Sequence, residues 1–188
     1  MEDGAARALP PDVAAEIAPD DVDLRTERLV LRHWRDADRA PFAAMGVDPD
    51  VVRYLPGTLT RAQSDVVVDR IRTHFAEHGY GLWVVEVEGA FAGFTGLQWS
   101  AASGRRALEV GWRLARAHWG HGYATEAARA AIDVGLRQVP EVVSFTAVVN
   151  AASERVMQRA GMRRVGEFDH PLPELPEHLR RHVLYATP

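Results

Sequence analysis

Glu109-Val-Gly-Trp-Arg-Leu-Ala-Arg-Ala-His-Trp-Gly-His-Gly-Tyr-Ala-Thr-Glu-Ala127 reads as a strand ending at Ala115, a turn punctuated by Gly120 and Gly122, and the opening of an alanine-rich helix. Glycines permit dihedrals and close backbone approach that a β-carbon forbids, so several amide N–H groups are expected to converge at the turn. The following helix adds its own free N–H groups and its positive dipole end. The stretch is therefore expected to hold a phosphate without help from a lysine. A β-carbon at Gly122 is expected to intrude where the phosphate oxygens sit.

The rest of the chain bounds this reading. At 188 residues with 47% hydrophobic residues, one domain with a proper core is expected. No apolar run approaches the ~20 residues of a membrane span, and no basic-plus-apolar leader is present, so neither a membrane nor a secretory signal is read. Cysteine is absent, which suits a reducing compartment; the expected location is cytoplasmic. All 22 basic residues are arginine. A Walker-type phosphate lysine, a Schiff-base lysine, a thiol nucleophile and cysteine-ligated zinc are thereby excluded. The net charge is −4, of which residues 1–23 contribute −6, leaving the remainder slightly positive with arginines scattered among acids. That pattern predicts no nucleic-acid partner.

Residues 1–23, rich in Ala, Pro and acids, are read as a mostly disordered leader, and 24–188 as the domain. Arg28–Arg35 is expected to form the first strand, and Asp36 to cap a helix running to Met45. Thr60 should cap a second helix ending near His78, with Val66, Val67, Ile71 and Phe75 on its apolar face. Two strands, Gly81–Glu88 and Ala90–Gln98, are joined by the hairpin signal Glu88-Gly89. The helix after Gly122 continues toward Val139 and stops at Pro140. Val142–Val149 is a buried strand, Ala151–Ala160 a short helix, and Met162–Phe168 with Arg181–Ala186 a final strand pair. The fold class is α+β (mixed α/β), with a mostly antiparallel sheet of about six or seven strands flanked by about four helices.

The second strand-helix unit places Asn150 at a strand end and Ser153 near a helix start, at the carboxyl edge of the sheet where ligands sit in open α/β folds. Together, Trp119-Gly-His-Gly-Tyr-Ala-Thr-Glu-Ala127 resembles motif A of the GNAT superfamily of acyl-CoA-dependent N-acyltransferases, and Asn150 through Gly161-Met162 resembles its motif B. Element order from Leu24 to Ala186 is similar to the branch containing ribosomal-protein N-terminal acetyltransferases. Trp119 departs from the Gln or Arg common in that turn, and matches that branch.

The resemblance implies acetyl-CoA as co-substrate and no metal. Its pyrophosphate would be held by Trp119, Gly120, His121, Gly122, Tyr123, Ala124 and Thr125, and its pantetheine arm by Trp112, Arg113, Leu114 and Asn150. It implies direct attack of an amine on the thioester through a tetrahedral intermediate. An ammonium has no lone pair, so a base must remove its proton; Glu109 is the candidate, either catalytic or paired with an arginine such as Arg113. Many members carry a tyrosine seven residues after the motif-B asparagine to protonate the thiolate, but here Met157 stands there. Ser153 is the replacement candidate, for catalysis and for cofactor binding, against a role as helix cap. His33, Trp34 and His170 are candidates for the acceptor pocket. His118 and His121 lie in a turn beside glycines, a poor arrangement for a metal.

The acceptor is expected to be a small-molecule or peptide amine, and the chain a monomer or homodimer. Two other readings stay open: a CoA-binding sensor without transfer activity, and nucleotide binding at the glycine turn.

Overall fold

The computed structural model of the chain describes residues 23–188, so the leader lies, apart from Asp23, outside the described residues. The expected first strand is instead two short ones, β1 (Leu24–Arg25) and β2 (Val30–Arg32), paired antiparallel. A 3-10 turn at Asp36–Asp38 leads into α1 (Arg39–Met45). Asp36 is not the cap. The Asp38 carboxylate accepts the Arg35 N–H at 2.7 Å and both terminal nitrogens of Arg32 at 2.8 Å. Arg32 is 4% exposed, and a charge held that far from water draws in Asp38 and also Glu86, at 2.6 Å.

Asp48 caps the single turn α2 (Pro49–Val52). Thr60 caps α3 (Arg61–His78) as expected: its hydroxyl accepts the Gln63 N–H, and the Gln63 side chain accepts the Thr60 N–H. Thr60→Ala is expected to cost about 1 kcal/mol in urea denaturation; an unchanged midpoint would show that the cap adds nothing here. The buried face of α3 is Ser64, Val68, Ile71 and Phe75, one helical stripe, whereas Val66 is exposed. The run Val66-Val-Val68 offers three apolar residues to a helix that buries only one side.

The hairpin of β3 (Leu82–Val87) and β4 (Ala90–Ser100) turns at Glu88-Gly89, both at positive φ. Next come β5 (Ala107–Leu114), α4 (Tyr123–Gly135), β6 (Val142–Ala147), α5 (Ala151–Arg159), β7 (Arg163–Asp169), α6 (Glu177–Arg180) and β8 (Arg181–Ala186). The sheet order is β1-β2-β3-β4-β5-β6-β8-β7. All neighbours are antiparallel except β5 and β6, which the α4 crossover makes parallel. The second crossover, through α5, reaches past one position, and β8 fills the gap between β6 and β7. The described residues hold eight strands and six α-helices, more than the six or seven strands and four helices expected. The surplus comes from the split first strand and the one-turn helices α2 and α6, too short to show a period.

Helices cover both faces. Phe94 meets Phe42 of α1 at 6.0 Å between ring centroids. Three residues along β4 and hence on the opposite face, Leu97 lies under α4, whose Gly135 approaches so closely that a β-carbon there would stand 2.7 Å from Val142 and 3.2 Å from Leu97. Pairing between β5 and β6 covers only Leu108 with Val142 and Glu109 with Val143. Beyond it β5 stays with β4 through Leu114 and β6 stays with β8 through Ala147, so the two parallel strands part and a wedge opens between them. Among the described residues, no helix is long and apolar enough to cross a membrane.

Candidate active site

The strand-turn-helix stretch forms one wall of this wedge. After β5 a 3-10 turn (Arg116–His118) leads to Gly120 and Gly122, both left-handed at φ 83° and 82°, and Gly122 is the N-cap of α4. Among the described residues, the N–H groups of Gly120, His121, Gly122, Tyr123 and Ala124 have no intramolecular acceptor. The next two, of Thr125 and Glu126, return to the Gly122 carbonyl at 3.1 Å. Five consecutive unpartnered donors at the positive end of a 13-residue helix are the chemistry that suits an anion.

The turn is held from outside. Arg28, between β1 and β2, donates from Nη1 to the His121 carbonyl at 2.9 Å and from Nε to Glu126 at 2.8 Å, and its guanidinium lies 4.9 Å from the Tyr123 ring centroid. Glu126 also accepts the Thr26 hydroxyl at 2.6 Å and the Arg28 N–H at 2.9 Å. Beside these contacts Glu126 is held below the usual carboxylate range: burial raises its pKa, but the Thr26 and Arg28 hydrogen bonds outweigh it. The Trp119 indole is 46% exposed, yet its Nε1 donates to the Leu114 carbonyl at 2.8 Å, tying the turn to the end of β5. His121 stacks on Tyr123 at 5.3 Å. None of Thr26, Arg28 and Glu126 carries a sequence signal for this contact, since their separations are 98 to 100 residues.

Glu109 stands at the apex of the wedge, facing away from α4, opposite Gln98 on β4 and beside Val143 on β6. It is 9% exposed, and burial pushes its carboxyl up to about 7, offset only in part by polar contacts from Gln98 and Ser100. It makes no ion pair with Arg113, which lies four residues along the same strand; that separation is about 13 Å. Trp112 and Leu114 alternate to the α4 side, with Leu114 in the core.

On the second wall Asn150, not Ser153, is the cap of α5: its Oδ1 accepts the Ser153 N–H at 3.2 Å, while its Nδ2 donates to Thr146 Oγ1 at 3.0 Å. Ser153 sits inside the first turn, where its N–H needs a partner and its hydroxyl is left without one among the described residues. Met157 is fully buried. A tyrosine does approach α5 from elsewhere: the Tyr185 hydroxyl donates to Glu154 at 2.8 Å and accepts from Gln158 at 3.0 Å.

The three residues named for an acceptor pocket do not converge. Trp34 is a core residue, its Nε1 bonded to the Leu82 carbonyl at 2.6 Å among Phe42, Phe91 and Phe94. His33 is exposed against Phe75 of α3. His170 lies apart from both, in a cluster with Phe145, Phe168 and His182 on the Glu109 face beside β6 that sequence spacing does not reveal. Burial lowers the pKa of both His170 and His182, favouring neutral imidazoles. The rim beyond them is closed by Tyr54, which packs with Ala147, Leu175 and Leu179.

Comparison with known proteins agrees with this architecture. The acetyltransferase (GNAT) domain family model matches residues 28–163. The uncharacterized protein YkkB of Bacillus subtilis (strain 168) is 35% identical over 144 residues, covering 74% of this chain and 84% of that protein. A GNAT-family acetyltransferase from Bacillus anthracis superposes with a TM-score of 0.72 at 24% identity, covering 88% of this chain and 97% of that one. Mycobacterium smegmatis RimJ in complex with CoA-disulfide gives a TM-score of 0.66 at 22% identity over 84% of this chain and 80% of that one. With the family match spanning the wedge, the turn and motif B, the chain belongs to the GNAT acetyltransferase family.

Proposed function

We propose that the chain transfers the acetyl group of acetyl-CoA to a primary amine by direct attack. The observation that carries the reading is the run of five unpartnered N–H groups, Gly120 to Ala124, opening beside the β5–β6 wedge. A pyrophosphate fits that receptor, and a pantetheine arm fits the wedge, where Gly111–Leu114, paired with β4 on one edge, has no partner on the β6 side. The RimJ neighbour was solved with a CoA-disulfide, which supports the same ligand class here.

Acetyl-CoA supplies an activated thioester. The chain's own contributions are orientation and proton handling. Glu109, held near neutrality by burial, is suited to take the ammonium proton directly or through water, since a base works best with a pKa near the working pH. Asn150, already fixed by Ser153 and Thr146, keeps spare donor and acceptor capacity toward the wedge. The Ser153 hydroxyl is the proton donor nearest in sequence for the departing sulfur, because Met157 has none to give. Tyr185 is engaged with Glu154 and is not assigned that role.

Met157 also favours a second reading, a CoA-binding sensor without transfer. One experiment separates the two: titrate CoA calorimetrically, then incubate the chain with acetyl-CoA and an amine panel and follow free thiol. Saturable CoA binding with thiol release on at least one amine is expected. Tight CoA binding with no release on any amine or on water would favour the sensor, and preference for NAD or ATP over CoA would defeat both.

A further inference from the structure

Buried Arg32 and half-buried Arg113 are treated differently by the domain. Arg32 is met by two carboxylates, Asp38 and Glu86. Arg113, on β5, meets no carboxylate and makes no side-chain hydrogen bond among the described residues. Its guanidinium carbon lies 5.4 Å from the centroid of the Phe94 ring. Burial alone accounts for its lowered pKa, about 10, with no acid to counter it. Yet none of its nitrogens is a fully buried donor lacking a partner, so the guanidinium keeps some contact with solvent.

An unanswered charge kept out of bulk water is costly to the fold. Placement suggests what offsets the cost. Arg113 points to the same side of the sheet as Glu109, away from α4, along the strand that lines the wedge. That face continues over Phe145, Phe168, His170 and His182, whose rings stand 4.8 to 6.2 Å apart and add no negative charge. A free guanidinium on the same face as the base, about 13 Å along β5 from it, repels acceptors carrying several positive charges and attracts an oxyanion, which it can bind in bidentate fashion.

We propose that Arg113 binds an oxyanion carried by the acceptor, so that the substrate class is amines bearing a carboxylate or a phosphate ester rather than polyamines. The assignment rests on the transferase reading above. An acceptor of this class puts its amine toward Glu109 and its anion on the fork. The amine nitrogen forms the new C–N bond, its proton passes to Glu109, and the thiolate leaves with the electron pair of the broken C–S bond.

The test is selectivity, read as kcat/KM from thiol release with acetyl-CoA. Matched amines that bracket the Glu109–Arg113 span are compared: α-amino acids and longer ω-amino acids with their carboxamides, phosphoethanolamine and its longer ω-aminoalkyl homologues with ethanolamine and the matching amino alcohols, and spermidine as the cation. The acid-bearing member of at least one pair should exceed its neutral partner about tenfold. In Arg113→Met that ratio should collapse toward one, chiefly through KM, and Arg113→Lys should restore part of it because the charge returns without the fork. The amino-acid and phosphoethanolamine pairs decide between carboxylate and phosphate. A preference for amides, ethanolamine or spermidine overturns the proposal, as does a ratio that Arg113→Met leaves unchanged, or a CoA-bound wild-type chain that accepts no acid-bearing amine. Failure of the wild-type chain to bind CoA would instead remove the transferase reading itself.

Discussion

Glu109→Gln is expected to lower acetyl transfer by about 10²- to 10⁴-fold, the usual contribution of a positioned base, while CoA titration and circular dichroism stay as in the wild-type chain. The pH profile carries the sharper signature. Burial holds the Glu109 carboxyl at about 7, so the rate should climb with pH through that value and lose this inflection in the variant. Stability should move the other way. The folded carboxyl holds its proton more tightly than the unfolded one, so the fold loses stability as pH rises from about 4.5 toward 7. A tenfold difference in proton affinity between the two states corresponds to roughly 1.4 kcal/mol. Gln carries no charge to desolvate, so the variant should be more stable than the wild-type chain in urea at pH 8, and about equal to it at pH 4. A variant that is inactive and also less stable at pH 8 would mark Glu109 as a structural group.

Gly122→Val should weaken CoA binding about 10- to 100-fold with the fold intact, measured by calorimetry beside a thermal melt. The structure adds a backbone reason to the steric one. A β-carbon at Gly122 would stand 3.5 Å from the Arg28 guanidinium, its one neighbour within 4 Å among the described residues. φ at Gly122 is 82°, a region that a β-branched residue occupies only under strain. Relaxing that dihedral rotates the peptides on either side and scatters the five donors. Because the turn lies at the surface, the core does not feel the change. Unchanged affinity would show that the receptor does not depend on this geometry.

The stretch from Glu109 to Ala127 is legible because everything it needs is local: the alternation of a strand, two glycines and a helix start. Asn150 is legible for the same reason, although its capping role is not, since Ser153 is equally good at a helix start by type. What sequence does not disclose is set by partners far along the chain. Asp38 displaces Asp36 because Arg32 is buried against Glu86 of β3. The apolar face of α3 rotates from Val66 to Val68 because packing on the sheet, not composition, selects one of three valines. Trp34 is typed like a pocket residue but is consumed by the core, and the rings around His182 gather only because β8 inserts between β6 and β7.

The grip of Arg28 on the His121 carbonyl sets the direction of one amide. In a trans peptide the C=O and the following N–H point in opposite directions. With the carbonyl pulled toward the β1–β2 connection, the Gly122 N–H is turned outward, and the plane cannot flip without breaking an ionic hydrogen bond. Polarity at the turn is thus latched by a residue 93 positions earlier. The receptor's orientation therefore depends on a long-range closure, although the turn otherwise looks purely local.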